Sequence, residues 1–158
     1  MVERSETLET LLSEIRYNER LCTRTARLYR KTSAAMTFFG ILGGTAVLSA
    51  LLQKFPPWVS LSGAAVFAAI GALSVSMKPV EKAIGAEADG KRYTQLKARA
   101  RQMAPAELRE ALEKLQENDV PEIESLRMVA FNDTVTERGR PEQAVPLSFR
   151  QRFVAMLA

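Results

Sequence analysis

The sequence predicts an all-α integral membrane protein: a helical hairpin of two transmembrane helices joined to a cytoplasmic helical bundle. Three observations predict it. Charge is missing from the middle of the chain, where Thr32 to Gln53 gives 22 residues without an ionised side chain and Phe55 to Met77 another 23, with Lys54 alone between them. Each stretch has the length of a bilayer crossing, since roughly 20 apolar residues of helix rising about 1.5 Å each cover a hydrocarbon core of about 30 Å. The flanks carry what the middle lacks: the 113 residues outside 33–77 hold 39 of the 40 charged side chains. The near-zero mean hydropathy is therefore an average over two different materials. A soluble protein with one mixed core does not segregate charge so completely. A cleaved signal peptide would begin close to Met1, not some thirty residues in behind a charged segment.

Residues 1–31 form the first region, a cytoplasmic amphipathic basic helix. Over residues 5–31, Leu8, Leu11, Leu12, Ile15, Cys22 and Tyr29 fall near one face. Acids lead (Glu3, Glu6, Glu9, Glu14) and bases follow, which suits the helix dipole. Arg16, Arg20 and Arg24 make an i,i+4 row that continues with Arg27, Arg30 and Lys31 toward the first apolar stretch. This basic set is the candidate contact for lipid headgroups, or for an anion such as a nucleotide or an acidic partner.

The hairpin occupies 32–78, with spans at about 33–52 and 58–77. Pro56 and Pro57 end one helix and direct the next, and Trp58 stands where an indole can bury its ring and keep its N–H wet. Basic residues crowd both flanks while the connecting loop has only Lys54, so the positive-inside rule places both termini in the cytoplasm. Gly40 and Gly44 form a GxxxG step in the first span. Ser60, Ala64, Ala68, Ala72 and Ser76 form a small-residue row in the second. Small faces let helices approach closely in lipid, whether they join the two spans of one chain or several chains. Thr45, Ser49 and Gln53 put hydroxyl and amide groups along one side of the first span. They either bond back to their own backbone or line a narrow polar path when copies assemble. No ionisable residue lies within a span, which leaves a proton relay, voltage sensor or coupled transporter nothing to work with.

Residues 79–140 are a cytoplasmic helical region. The second span continues as helix through Val80, Ile84, Ala88, Tyr93, Leu96 and Met103. Pro105 opens a helix with Leu108, Leu112 and Leu115 on one side, and Asp119 and Pro121 start another that stops near Gly139. Residues 141–158 are an amphipathic tail helix grouping Phe149, Phe153 and Leu157, either lying on the membrane surface or capping the bundle. Asn132-Asp133-Thr134 matches a glycosylation pattern that a cytoplasmic position would leave inert.

Composition argues against most chemistry. There is no histidine and one cysteine, so no imidazole relay, His-ligated zinc or internal disulfide can be built. Five of the eight glycines lie inside the spans, and no phosphate-binding glycine loop is present. The acids fall on solvated faces. An enzyme is not expected, nor a catalytic, metal or cofactor site, nor a DNA or RNA partner.

The whole layout resembles the SLATT family, the two-span effectors associated with SMODS nucleotidyltransferases and SLOG nucleotide sensors. The resemblance rests on the basic helix ending Ala26-Arg27-Leu28-Tyr29-Arg30-Lys31, two spans with a minimal turn, a long helix with Ala83, Ala86, Ala88, Tyr93 and Leu96, and a late helix containing Ala130-Phe131-Asn132-Asp133. It covers about residues 10–138 and is one of architecture, without a short diagnostic motif. It implies an antiphage effector in the bacterial inner membrane, oligomerising to form a pore or disrupt that membrane. A nucleotide second messenger, or a nucleotide-sensing or nucleotidyltransferase partner, would then control it. The competing expectations are a holin-like phage protein, for which the long charged helical region is superfluous, and a non-conducting anchor for cytoplasmic partners.

Overall fold

The computed structural model describes residues 2–43, 53–54, 56–121 and 123–158, with side chains from Leu8 onward. Among the described residues the chain is all-helical, with no strand. Its helices are α1 (Val2–Gly43), α2 (Pro57–Met77), α3 (Pro79–Arg99), α4 (Pro105–Gln116), α5 (Glu124–Glu137) and α6 (Phe149–Leu157), with short 3-10 turns at Ala100–Gln102 and Pro141–Gln143. The basic N-terminal segment and the described part of the first apolar stretch form one unbroken helix. The chain divides into two compact units, one of Met1–Leu28 with Lys82–Ala158, the other of Tyr29–Glu81.

The first unit is a helical bundle built on the N-terminal part of α1. Leu11, Ile15, Asn18, Cys22 and Thr25 repeat at alternating steps of four and three, a seam that keeps one side of a helix turned inward. Leu11, Leu12 and Ile15 close over Tyr93, Leu96 and Ala100 of the α3 segment and over Leu108 and Leu112 of α4. Further along, Leu21 packs with Leu126 and Ala130 of α5 and with Ala158 beyond α6. Truncating a fully buried leucine such as Leu108 or Leu112 in such a core costs about 2–5 kcal/mol.

Two sequence expectations for the residues from Pro79 onward need correction. Val80, Ile84 and Ala88 are exposed, and the inward face of α3 is instead Ala83, Ala86, Tyr93 and Leu96, continued by Ala100 in the 3-10 turn. Small residues win there because the neighbouring chain comes close: a Cβ on Gly85 would lie 2.8 Å from Val120 Cγ2. The helix expected from Asp119 and Pro121 begins only at Glu124. Asp119 and Val120 are held against α3 by their own hydrogen bonds, with Tyr93 Oη donating to Asp119 and the Val120 N–H donating to Asp89 Oδ2 at 3.1 Å. A segment so pinned cannot supply the first turn.

The tail does form a helix, and it caps the bundle. Ser148 caps α6 by accepting from the Gln151 N–H while Gln151 Oε1 accepts from the Ser148 N–H. Ahead of it, Asn132 grips the connection from both sides, donating to the Val145 carbonyl at 2.8 Å and accepting from its N–H at 2.9 Å. Thr134 is buried with its hydroxyl on the Ala130 carbonyl. Within the glycosylation-like triplet, Asn132 is thus occupied in holding α5 to the tail, while Thr134 bonds within α5 itself.

In the second unit, α2 buries none of its residues. Pro57 at its start has no N–H to leave unsatisfied and presets φ for the first turn. Beyond Val59 and Ser60 in its first turn, its partly covered positions are Gly63, Phe67, Ile70, Ser74 and Met77, a seam of alternating fours and threes. The helix stops at Lys78, the one non-glycine residue with positive φ among those described (φ 45°, ψ 53°). Pro79 explains the interruption: its ring would clash with the carbonyl four residues back, and it cannot donate to the ladder. The second apolar stretch therefore does not run on uninterrupted; α3 starts anew after a single left-handed residue.

Candidate functional site

One described helix is long and apolar enough to cross a membrane, and its apolar stretch, within α2, is unburied throughout. Large side chains stand open along it, Trp58, Leu61, Val66, Leu73 and Val75 among them. The small-residue row is open as well: Ala64, Ala68, Ala72 and Ser76 are exposed and Ser60 is partly covered. It winds away from the Gly63–Phe67–Ile70–Ser74–Met77 seam. Within the chain, close contact falls instead at Gly43, where an added Cβ would come within 2.6 Å of the Phe67 ring. At Gly40 an added Cβ would meet nothing within 4 Å. Gly44, Thr45 and Ser49 lie outside the described residues, and Gln53 is exposed in the turn with Lys54.

The arginine row of α1 meets a matching row of acids. Arg24 Nε and Nη2 reach Asp133 Oδ2 and Oδ1 at 2.8 and 3.1 Å, and Arg20 Nε and Nη2 both reach Glu137 Oε2, at 3.1 and 2.8 Å. The Glu137 hydrogen bond is the main influence raising the Arg20 pKa above its usual value. Two arginines four apart thus face two acids four apart, the higher-numbered acid on the lower-numbered arginine, so α1 and α5 run antiparallel. A polar cleft of about 350 Å³ opens there, lined by Arg20, Thr23, Arg24, Arg27, Asp133, Thr136 and Glu137. Arg20 and Arg24 are committed to protein carboxylates, while Arg27 stands exposed beside them and Arg16 is partly covered. Arg30 and Lys31 are exposed and belong to the other unit.

Glu19 points to the other flank of α1. It accepts from Thr94 Oγ1 at 2.8 Å and pairs with Lys97, clamping α1 to α3. Asp89 is buried, holding Val120 N–H with one oxygen and Arg92 Nη1 with the other at 3.1 Å. The Tyr93 phenol is pushed well above its ordinary range, first by burial and then by its hydrogen bond to the Asp119 carboxylate. Neither Asp89 nor Tyr93 stood out as a polar anchor in the sequence, because the groups they hold, Val120 and Asp119, lie about thirty residues further along the chain.

Between α3 and α4 runs a groove of about 570 Å³. Leu96, Met103, Ala111 and Leu115 make its apolar floor, and Arg92, Arg99 and Lys114 stand on its rim with no acidic residue among the lining. Sequence reading missed it, since a groove is a property of two helices and neither alone shows it.

No protein-family model matches this chain, and comparison with curated proteins and with solved structures finds no match.

Proposed function

We propose that this chain is a membrane effector: its two apolar stretches cross the bacterial inner membrane as a hairpin with both termini cytoplasmic, and several copies assemble through α2 into a pore or a membrane-disrupting complex. The observation that carries this reading is the open small-residue row of α2. A stripe that simply joined the two spans of one chain would be covered within that chain. Ala64, Ala68, Ala72 and Ser76 are instead exposed, while Phe67 and Gly43 serve the internal contact. In lipid, small faces of this kind associate with other helices, because close backbone approach and interhelical packing replace the hydrophobic drive available in water. The bundle of the first unit, charged outside and well packed inside, suits a cytoplasmic control element. A nucleotide second messenger, or a protein that senses or makes one, would act on it, in line with the SLATT resemblance and its antiphage setting.

Reconstitution into liposomes tests the reading. Dye or ion efflux is expected to rise with protein-to-lipid ratio more steeply than linearly, as assembly requires. Replacing Thr45, Ser49 and Gln53 together by Leu is expected to cut efflux at least tenfold while leaving insertion unchanged. Equal efflux from the triple variant would remove these three residues from the conducting path.

One observation favours a second reading, a non-conducting anchor. The α3–α4 groove, with cations around an apolar floor, has the character of a docking surface for an acidic partner. A chain that never releases dye at any density would leave this reading standing.

A further inference from the structure

α6 has two contrasting faces. Toward the bundle, Val154 and Ala158 pack with Leu21, Leu126 and Ala130. On the opposite side Phe149, Phe153 and Met156 are 86%, 54% and 70% exposed. At about 100° per residue these three fall within an arc of about 60°. Arg152 borders that arc on one side and Arg150 lies beyond it on the other, and α6 contains no acid. Neither arginine has a carboxylate partner among the described residues; Arg152 donates only to the Leu147 carbonyl, at 3.1 Å. The capping box at Ser148 fixes where the helix starts, and so fixes which side chains share the outer face.

We infer that the outer face of α6 docks on the anionic headgroup layer of a bilayer, with Phe149, Phe153 and Met156 at the acyl boundary and Arg150 and Arg152 on lipid phosphates. Aromatic and flexible apolar side chains flanked by bases, with no acid between, are what an interfacial helix presents to lipid. A second copy of the same face is a poor occupant, because a symmetric contact would bring the bases of one helix against those of the other. The inner face is already taken by the bundle, so α6 would tie that bundle to the membrane surface. The inference rests on the proposed membrane insertion of the chain, and the experiment keeps the two apart.

Trp58, the single tryptophan, starts α2 and reports on the span. The full chain is reconstituted in phosphatidylcholine–phosphatidylglycerol vesicles containing lipid brominated near the carbonyl end of the acyl chain. Quenching of Trp58 in the parent establishes insertion. In a Trp58→Phe, Phe153→Trp variant, circular dichroism is expected to match the parent. The new indole is expected to be quenched at least half as strongly as Trp58, with loss of most of that quenching when Arg150 and Arg152 are both changed to Glu. A quenched Trp58 beside an unquenched, iodide-accessible Trp at 153 overturns the inference while leaving insertion intact. An indole at 153 shielded from both iodide and bromine assigns the face to protein and also overturns it. Quenching indifferent to the double charge reversal overturns the anionic-lipid assignment. An unquenched Trp58 removes the insertion reading and the inference with it.

Discussion

At the scale of single residues, polar groups inside the bundle do the locating. Tyr93 is fully buried, yet its hydroxyl reaches the Asp119 carboxylate, and that contact sets where the chain runs between α4 and α5. Tyr93→Phe keeps the ring and removes the donor, so it should cost about 1.5–3 kcal/mol, the range for hydrogen bonds to charged groups. The same contact carries a pH dependence. The unfolded phenol loses its proton near its ordinary value of about 10, whereas the folded one, raised by burial and by Asp119, keeps it. Above that pH the unfolded state binds fewer protons than the native state, so stability contributed by Tyr93 is present below about pH 10 and declines as pH rises further. Melting temperature should fall on going from about pH 9.5 to 11, and the fall should be shallower in Tyr93→Phe. Equal slopes would mean that Tyr93 titrates alike in both states. Little of this was legible in advance. The arginine row of α1 was visible as a row, but its acids lie more than a hundred positions away. The clue was a shared spacing: Arg20 and Arg24 four apart, Asp133 and Glu137 four apart. Spacing alone does not say which helices will lie side by side.

At the scale of elements, the helices expected from proline, acid and apolar periodicity are there among the described residues, and the errors fall at their joins and in the register of α3. Of the apolar positions named along it in the sequence, Val80, Ile84 and Ala88 are exposed; the helix turned inward Ala83 and Ala86, beside a glycine that lets Val120 approach. Hydropathy weighs side-chain size, whereas close helix packing rewards its absence, so a small-residue seam is the pattern that such a reading underrates. The join at Lys78 follows similar logic. Pro79 bars the helix from running on, but the adjacent residue carries the conformational consequence: Lys78 takes φ 45° and ψ 53°, a region that L-residues occupy at a cost of roughly 1–2 kcal/mol and that glycine occupies freely. The Lys78–Glu81 pair beside it spans 3.2 Å, with both side chains largely exposed, and compensates little. Lys78→Gly should therefore raise the melting temperature or leave it unchanged. Lys78→Val, β-branched and poorly tolerated at positive φ, should lower it by several degrees. The opposite order in a thermal melt of the detergent-solubilised protein would show that the join does not hold the left-handed conformation.

At the scale of the whole molecule, the segregation of charge separates two kinds of packing, and each predicts a different response to the same chemical change. The first unit is held by a core and by cross-linked polar groups, as any bundle in water would be. The second offers α2 with nothing buried, and on the proposed reading what stabilises it beyond its own seam is lipid or other chains. Adding methyl groups should sort these contributions. Gly43→Ala drives a Cβ to within 2.6 Å of the Phe67 ring, so it should disturb the contact inside one chain and lower the melting temperature even where protein is dilute. Gly40→Ala meets nothing within 4 Å, and Ala68→Leu extends from an exposed position. Neither should change the fold or stability of a lone chain. If copies associate through the small-residue rows, however, Ala68→Leu separates two backbones that need to approach, and it should shift the equilibrium in detergent or bilayer toward monomer by about tenfold, equivalent to about 1.4 kcal/mol. Sedimentation or single-molecule subunit counting at matched protein-to-lipid ratios reads that shift directly, with Gly40→Ala testing the first helix's contribution by the same measure. Were Ala68→Leu to associate as the parent does while Gly43→Ala alone lost stability, the open row of α2 would be a lipid-facing surface, and assembly through it would have to be abandoned.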